Sequence, residues 1–393
     1  MSVCFPKISK KSQDIPPFLV MDVLERAMEI AQTGEDVIHL EVGEPDFDTP
    51  ENIIRAGIEA AKAGKTHYTP SVGIPELRQA VAKHYADTYG VTVDPQCVVI
   101  TPGSSPAILL VLAALLDPGS EIILSDPHYA CYPNFVKFLD GVPVFVDVLP
   151  EDGFQINPDD AARAVTDKTR AIFINSPSNP TGTLLDPLRM KELAKLGVPI
   201  ISDEIYHGLV YEGQEHTILE FTDNAFVVNG FSKLYAMTGW RLGYMIVPQQ
   251  FIRPIQKMAQ NFFISPADFV QWAGVEALTN SSEETRRMKE IFNQRRTAML
   301  HRLKEMGFEI KVDPTAAFYV LADARRFSQD SYRFAFEILE HARVGVAPGI
   351  DFGKNAEGFL RFSYTNSLEN IQEGLDRIER YLNDRAKCTE RLA

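Results

Sequence analysis

The strongest constraint on this chain is a succession of short, wholly apolar segments separated by helical stretches through its middle. The candidates are Val98–Thr101, Ile122–Ser125, Val144–Val148, Ala171–Asn175, Pro199–Ser202, Phe226–Asn229 and Leu242–Val247. Several of them are apolar throughout instead of alternating with polar residues. A strand can be apolar on both sides only when both sheet faces are covered, which is the condition of a parallel sheet built from strand–helix–strand units. The expected fold is therefore α/β, with a large domain built on a mostly parallel seven-stranded sheet covered by helices on both faces.

The C-terminal third changes character. Glu283 to Met306 reads as one long charged helix, followed by strand-like Phe308–Val312, Ala317–Leu321 and Gly358–Ser363. Leu368, Ile371, Leu375, Ile378 and Leu382 then mark an amphipathic helix, with Asn366 as its expected N-cap. Near the start, Val20, Val23, Leu24, Ala27, Met28 and Ala31 follow helical spacing, and Gly34 is a natural stop. We expect a large domain over residues 47–294 and a smaller α+β domain over 295–393, joined in space by residues 1–46.

At 393 residues, 45% hydrophobic and 23% charged, the chain can bury a substantial core. Its formal net charge of −14 argues against nucleic-acid or anionic-membrane partners, which call for a basic face. Cys4, Cys97, Cys131 and Cys388 are scattered without metal-like spacing. No metal site is expected, Cys97 and Cys131 read as inert core thiols, and the usage fits a reducing cytoplasm. No apolar leader core precedes Asp14, and the longest apolar run, Ala107 to Leu116, is too short to span a bilayer. That run reads as a buried helix. Dinucleotide, P-loop and HExxH motifs are absent, which removes dehydrogenase, nucleotide-triphosphatase and zinc-protease readings.

Chemistry-bearing residues gather at the predicted strand ends, where open α/β sheets bind ligands. After Val227–Asn229 comes a small-residue turn holding Ser232 and Lys233, with Arg241 a short loop later. A buried lysine sheds its proton readily and attacks carbonyls. Gly103, Ser104 and Ser105 join a strand to the apolar helix, an arrangement of free N–H groups and hydroxyls suited to a phosphate. Tyr129 follows the next strand and offers an aromatic face. Asn179 lies in a turn with two prolines, Asp203 and Tyr206 follow another apolar strand, and Arg361 sits inside an apolar strand pattern. A buried aspartate or arginine requires a partner of opposite charge.

Asn179-Pro180-Thr181-Gly182, Asp203-Glu204-Ile205-Tyr206, Ser232-Lys233 through Thr238-Gly239-Trp240-Arg241-Leu242-Gly243, and Arg361-Phe362-Ser363 together resemble the class I/II aminotransferases, fold-type-I pyridoxal-phosphate enzymes. Gly43-Glu44-Pro45-Asp46-Phe47 and Tyr68-Thr69-Pro70-Ser71-Val72-Gly73 match earlier blocks of that family. The resemblance runs from about Gly43 to Arg361, and the ordered set is far more specific than any one block.

The resemblance implies an activity and a role for each residue. An amino group would move from an L-amino acid to a 2-oxo acid by a ping-pong route through an internal aldimine and pyridoxamine phosphate. Lys233 would carry the aldimine and shuttle the proton. Asp203 would keep the pyridine nitrogen protonated, while Tyr206 and Asn179 would bond the phenolic oxygen. Tyr129 would stack on the ring. Gly103, Ser104, Ser105, Ser232 and Arg241 would surround the phosphate, and Tyr68 would reach the phosphate of a neighbouring subunit in a homodimer with shared sites. Arg361 would clamp the α-carboxylate, for which Gly43 leaves room. Asp126-Pro127 and Asn179-Pro180 would both be cis.

The chain also departs from the family pattern. Gly230 stands where a serine often contributes to phosphate binding, and Ala316, in place of a frequent glycine, could narrow the pocket. Ser105 replaces the lysine with which some aspartate-using relatives meet the distal carboxylate, so aspartate is not implied as donor. Related scaffolds host C–S lyases, γ-lyases and cyclopropane-forming synthases that share Lys233, Asp203 and Arg361. An effector-sensing regulator would need an added DNA-binding domain, and the segment before Gly43 is too short for one.

Overall fold

The computed structural model describes residues 6–392, which leaves Cys4 outside the described residues. Its main sheet contains β1 (Val98–Thr101), β2 (Glu121–Asp126), β3 (Val142–Asp147), β4 (Thr169–Asn175), β5 (Ile200–Asp203), β6 (Ala225–Gly230) and β7 (Gly243–Ile246). The strand order is β1-β7-β6-β5-β4-β2-β3. All neighbours run parallel except β7, which is antiparallel to both β1 and β6.

Residues along each strand alternate between two hydrophobic cores. Val98 and Ile100, Ile172 and Ile174, and Val227 pack with Leu77, Val81 and Ala273 on one face. Val99, Ala171, Phe173, Phe226 and Val228 pack with Leu110, Val111 and Ile255 on the other. Period-2 geometry sends successive side chains to opposite faces, so a strand buried on both sides must be apolar at every position. Ala107–Leu115 lies in the helix Ser104–Leu115, with Leu116 at its C-cap, and Ala107, Ile108, Leu110, Val111 and Leu112 are buried in the second of these cores.

The smaller sheet contains β8 (Tyr319–Asp323), β9 (Ala347–Pro348) and β10 (Phe359–Ser363), antiparallel in the order β9-β10-β8. It packs against Phe292, Met299 and Leu303 of the helix Ser282–Glu305, against Phe334 and Ile338, and against Ile371, Leu375 and Ile378 of the C-terminal helix. The N-terminal segment joins this unit. Ile38–His39 pairs in parallel with Val344–Gly345, while Val23, Ala27 and Ile30 pack on Leu339.

Local differences from the sequence expectations have identifiable causes. Phe308–Val312 forms no strand, because only Glu309 meets the end of β8, in an isolated bridge with Asp323. Strand β8 begins at Tyr319, since Ala317 takes a left-handed φ of 57° and gives its N–H to the Leu209 carbonyl instead. Ser367, not Asn366, caps the C-terminal helix: its Oγ accepts the Asn370 N–H at 3.1 Å, while Asn366 Oδ1 accepts the Ser367 N–H. Cys97 and Cys131 are half-buried free thiols, and Cys97 packs against the edge of the core.

The loop Gly43–Thr49 is held to the smaller unit by a two-pronged ion pair. Arg295 Nη1 and Nη2 donate to the two Asp46 carboxylate oxygens at 2.6 and 2.9 Å, and the guanidinium also lies over Phe47 and Phe292. Asp46→Ala would leave the buried Arg295 cation without its partner, and we expect a loss of about 2–3 kcal/mol. A urea melt checks this, with an unchanged midpoint as the contrary result.

Candidate active site

One cavity of about 300 Å³ opens where β4, β5 and β6 end and β10 crosses from the smaller unit. Lys233, Asp203, Tyr206, Asn179, Tyr129, Ser104, Ser105, Ser232, Arg241, Arg361 and Gly43 all line it. Residues separated by up to 318 positions in sequence thus meet at one place, since 361 − 43 = 318. Tyr68 does not line the cavity and is 82% exposed. Gly103 lies just behind the wall, where an added Cβ would stand 2.6 Å from Arg241 Nη2.

Lys233 donates from Nζ to the Gly43 carbonyl at 2.6 Å. Burial, reinforced by the positive charges of Arg361 and Arg241, lowers its ammonium from the ordinary 10.5 to about 8, against the opposing pull of Glu44. The neutral, nucleophilic form of the amine is therefore far more accessible near physiological pH than that of an exposed lysine. An added Cβ at Gly43 would fall 1.8 Å from the Tyr319 hydroxyl, so the glycine is needed for close approach to that tyrosine as well as for space.

Asp203, at the end of β5, has the opposite displacement. Burial raises its carboxyl from 3.8 to about 6, although hydrogen bonds from Tyr132 and the Ile205 N–H favour the charged form. Those bonds measure 2.7 Å from Tyr132 Oη to Oδ2 and 3.1 Å from Ile205 N to Oδ1. Among the described residues, no cation bonds this carboxylate. Asn175 ties the neighbouring strand ends together, donating to the Asp203 carbonyl at 2.9 Å and accepting the Asn179 N–H at 2.8 Å.

Arg361 is 2% exposed, with Nη1 donating to Asn179 Oδ1 at 3.0 Å and Nη2 donating to the Glu41 carbonyl. Its Nε is buried without a partner. Tyr319 and Phe352 sandwich the guanidinium, with centroids 4.3 and 4.7 Å from its central carbon. Tyr206 and Tyr319 share a hydrogen bond of 2.9 Å between their hydroxyls, and burial pushes the Tyr206 phenol well above its usual pKa.

A further group of donors surrounds the start of the helix Ser104–Leu115. Gly243 has no Cβ, which would otherwise lie 2.6 Å from the Gly103 carbonyl carbon and 2.8 Å from Ser104 N, and so the chain folds tightly there. Arg241 takes a left-handed conformation and donates to the Thr238 carbonyl at 2.8 Å. At Gly230, a Cβ would approach the Leu242 carbonyl at 3.1 Å, so a serine in its place would press on that backbone. Ala316 is fully buried against Gly182 and does not line the cavity, so it narrows nothing. Asp126-Pro127 and Asn179-Pro180 are both cis, as is Ser176-Pro177.

Tyr132 and Tyr319 are site residues that the sequence reading missed. Each lies in a short apolar run, and a phenol there carries no sign that its hydroxyl reaches a carboxylate or another phenol. Among the described residues, no cluster of three or more potential ligands is placed to hold a metal, and no helix is long and apolar enough to cross a membrane.

A buried lysine with a lowered pKa, a buried carboxyl held by Tyr132 and a buried arginine with an unpartnered Nε thus share one cavity with Ser104, Ser105 and Arg241. The chain belongs to the aminotransferase class I and II family, whose model matches residues 35–378. It is 43% identical over 381 residues to the (5-formylfuran-3-yl)methyl phosphate transaminase of Methanocaldococcus jannaschii, covering 96% of this chain and 100% of that protein. It is 39% identical over 383 residues to the aspartate/prephenate aminotransferase of Thermus thermophilus, covering 95% and 98% of the two chains. The crystal structure of Thermus thermophilus aspartate aminotransferase with maleate superposes with a TM-score of 0.92 at 38% identity, over 96% of this chain and 100% of that one. The protein is a pyridoxal-phosphate-dependent aminotransferase that takes an amino acid and a 2-oxo acid as substrates.

Because Asp203 gains a proton near pH 6, affinity of the cofactor-free protein for pyridoxal phosphate is expected to weaken below that pH. Tyr132→Phe removes a bond that favours the carboxylate, so the break should move upward, by about one unit. Fluorescence titration over roughly pH 5–8 checks the shift, and an unmoved break contradicts it.

Proposed function

We infer that Lys233 is the covalent anchor of the cofactor and the group that carries the substrate proton. The observation that supports this most directly is the Lys233 amine, buried in the cavity and lowered to about 8, where it is both nucleophilic and able to accept a proton. The bound cofactor supplies an electron sink for the charge left when the α-proton departs. Asp203 keeps a proton on the pyridine nitrogen, and Tyr132 with the Ile205 N–H holds the carboxylate in place. Tyr206 and Asn179 serve the phenolic oxygen, and Tyr129 covers the ring. Gly103, Ser104, Ser105, Ser232 and Arg241 receive the phosphate at a helix N-terminus, where free N–H groups favour an anion. Arg361 takes the α-carboxylate, offering the unpartnered Nε. Residues 47–294 make the cofactor domain, and residues 295–393 with 1–46 make the smaller one.

The working form is a homodimer in which Tyr68 completes the phosphate site of the other subunit. Its 82% exposure, away from the cavity of its own chain, supports this reading. The free thiols Cys97 and Cys131 favour a reducing, cytoplasmic setting.

Lys233→Ala is expected to abolish turnover while leaving non-covalent cofactor binding, and normal turnover would refute the assignment. Mixing Lys233→Ala and Tyr68→Ala subunits tests the shared site. A hybrid dimer should regain one native site, with Lys233 from one chain and Tyr68 from the other. No recovery in dimers shown to be mixed would refute the trans arrangement.

A further inference from the structure

Tyr68 is exposed in the segment between the helices Glu51–Lys62 and Pro75–Tyr89, yet the far end of that segment is fixed. The Val72 carbonyl accepts the Ile100 N–H of β1 at 3.0 Å, and the Gly73 N–H donates to the Pro70 carbonyl at 2.8 Å. Gly73 takes a left-handed φ of 93°, and an added Cβ there would stand 2.3 Å from Ile100 Cγ1 and 3.0 Å from Gln271 Oε1. A second segment, between the helices Gln249–Phe262 and Asp268–Asn280, lies against the first. Ser265 Oγ accepts the Thr69 N–H at 3.3 Å, and Thr69 Oγ1 donates to the Pro266 carbonyl at 3.4 Å. Ile264 in this second segment holds a left-handed φ of 65°, which a β-branched residue keeps only when its surroundings impose it.

Gln271, on the helix Asp268–Asn280, joins the two segments. It is fully buried: Oε1 accepts the Ile74 N–H at 2.8 Å, while Nε2 donates to Thr69 Oγ1 at 3.0 Å and to the Pro266 carbonyl at 3.2 Å. Turning the amide over would set its NH2 against the Ile74 N–H and its oxygen against the Pro266 carbonyl, so one orientation alone satisfies the site. Neither Gln271 nor Thr69 lines the cavity of its own chain. What the amide fixes is the residue next to Tyr68. Phe262, Ile264 and Phe269, in and beside the second segment, are exposed, and apolar area of this kind marks a surface that another chain covers.

We propose that Gln271 is the positioning residue that presents Tyr68 to the phosphate site of a second copy of this chain. The proposal rests on the homodimer reading above and adds to it the residue that sets the reach of Tyr68. An exposed tyrosine loses conformational freedom when it bonds a phosphate, and a base that is already ordered lowers that cost. Gln271 therefore strengthens cofactor binding in the partner's site and not in its own.

The test uses mixed dimers, selected through two affinity tags, in which Lys233→Ala removes the anchor from one site. Phosphopyridoxyl label fixed on Lys233 by borohydride then reads the other site alone, and it is followed against pyridoxal phosphate concentration. With Gln271→Met on the Lys233→Ala chain, the labelled site receives the altered Tyr68, and half-labelling should need about tenfold more cofactor. With Gln271→Met on the chain that keeps Lys233, the labelled site receives Tyr68 from an unaltered segment. That pair should match one carrying Lys233→Ala alone. No shift in the first arrangement, or equal shifts in both, would overturn the positioning role. Tyr68→Phe on the Lys233→Ala chain separates the two claims. A shift there with none from Gln271→Met overturns the role of Gln271 alone, and no shift there overturns the shared site together with it. Thr69→Val cuts one of the three Gln271 bonds and carries the test if Gln271→Met chains do not pair. It should give the same one-sided shift at smaller size, and a shift that is equal in both arrangements or absent from both overturns the proposal.

Discussion

Asp203 and Lys233 share one buried cavity with their ordinary charges opposed by its low polarity. Burial raises the Asp203 carboxyl to about 6 and lowers the Lys233 amine to about 8, so each is displaced toward its neutral form. Desolvation penalises an isolated charge of either sign, and here it leaves a carboxylate waiting for a cation and an amine free to attack. The surrounding structure fixes their positions. Tyr132 and the Ile205 N–H orient the carboxylate, and the Gly43 carbonyl holds the amine.

The fold makes this possible by ending its strands around one space. β4, β5 and β6 deliver Asn175, Asp203 and the loop to Lys233, while the first turn of the helix Ser104–Leu115 adds Ser104 and Ser105. The smaller unit adds Arg361 from β10 and Tyr319 from β8. The segment around Gly43 threads between the two units, with its carbonyl on Lys233 and Asp46 on Arg295. Movement of one unit against the other would thus alter the spacing between the arginine and the lysine, the two groups that must address one substrate together.

The sheet was legible because parallel strands covered on both faces must be apolar at every position, and all seven expected strands fall on β1–β7 within a few residues. The site was legible for a different reason. Lysine, aspartate and arginine inside apolar surroundings are costly, so their presence at strand ends already indicates chemistry. Tyr132, Tyr319 and Asp351 gave no such signal. A phenol is at home in a core, and a surface aspartate becomes a cap only through a helix some 330 positions away, as Asp351 does for Leu19 and Val20. The strand expected at Phe308–Val312 failed for a related reason: its alternating pattern reflects packing in the core, while its backbone meets a partner at one residue only.

The account depends on which lysine carries the cofactor. Reduction of the holoenzyme with borohydride, followed by peptide mapping by mass spectrometry, reads this directly. The prediction is a single phosphopyridoxyl mass increment on the peptide that holds Lys233. A label on another lysine, or none on a protein that retains the cofactor, would contradict the role of Lys233 and with it the chemistry assigned to the cavity.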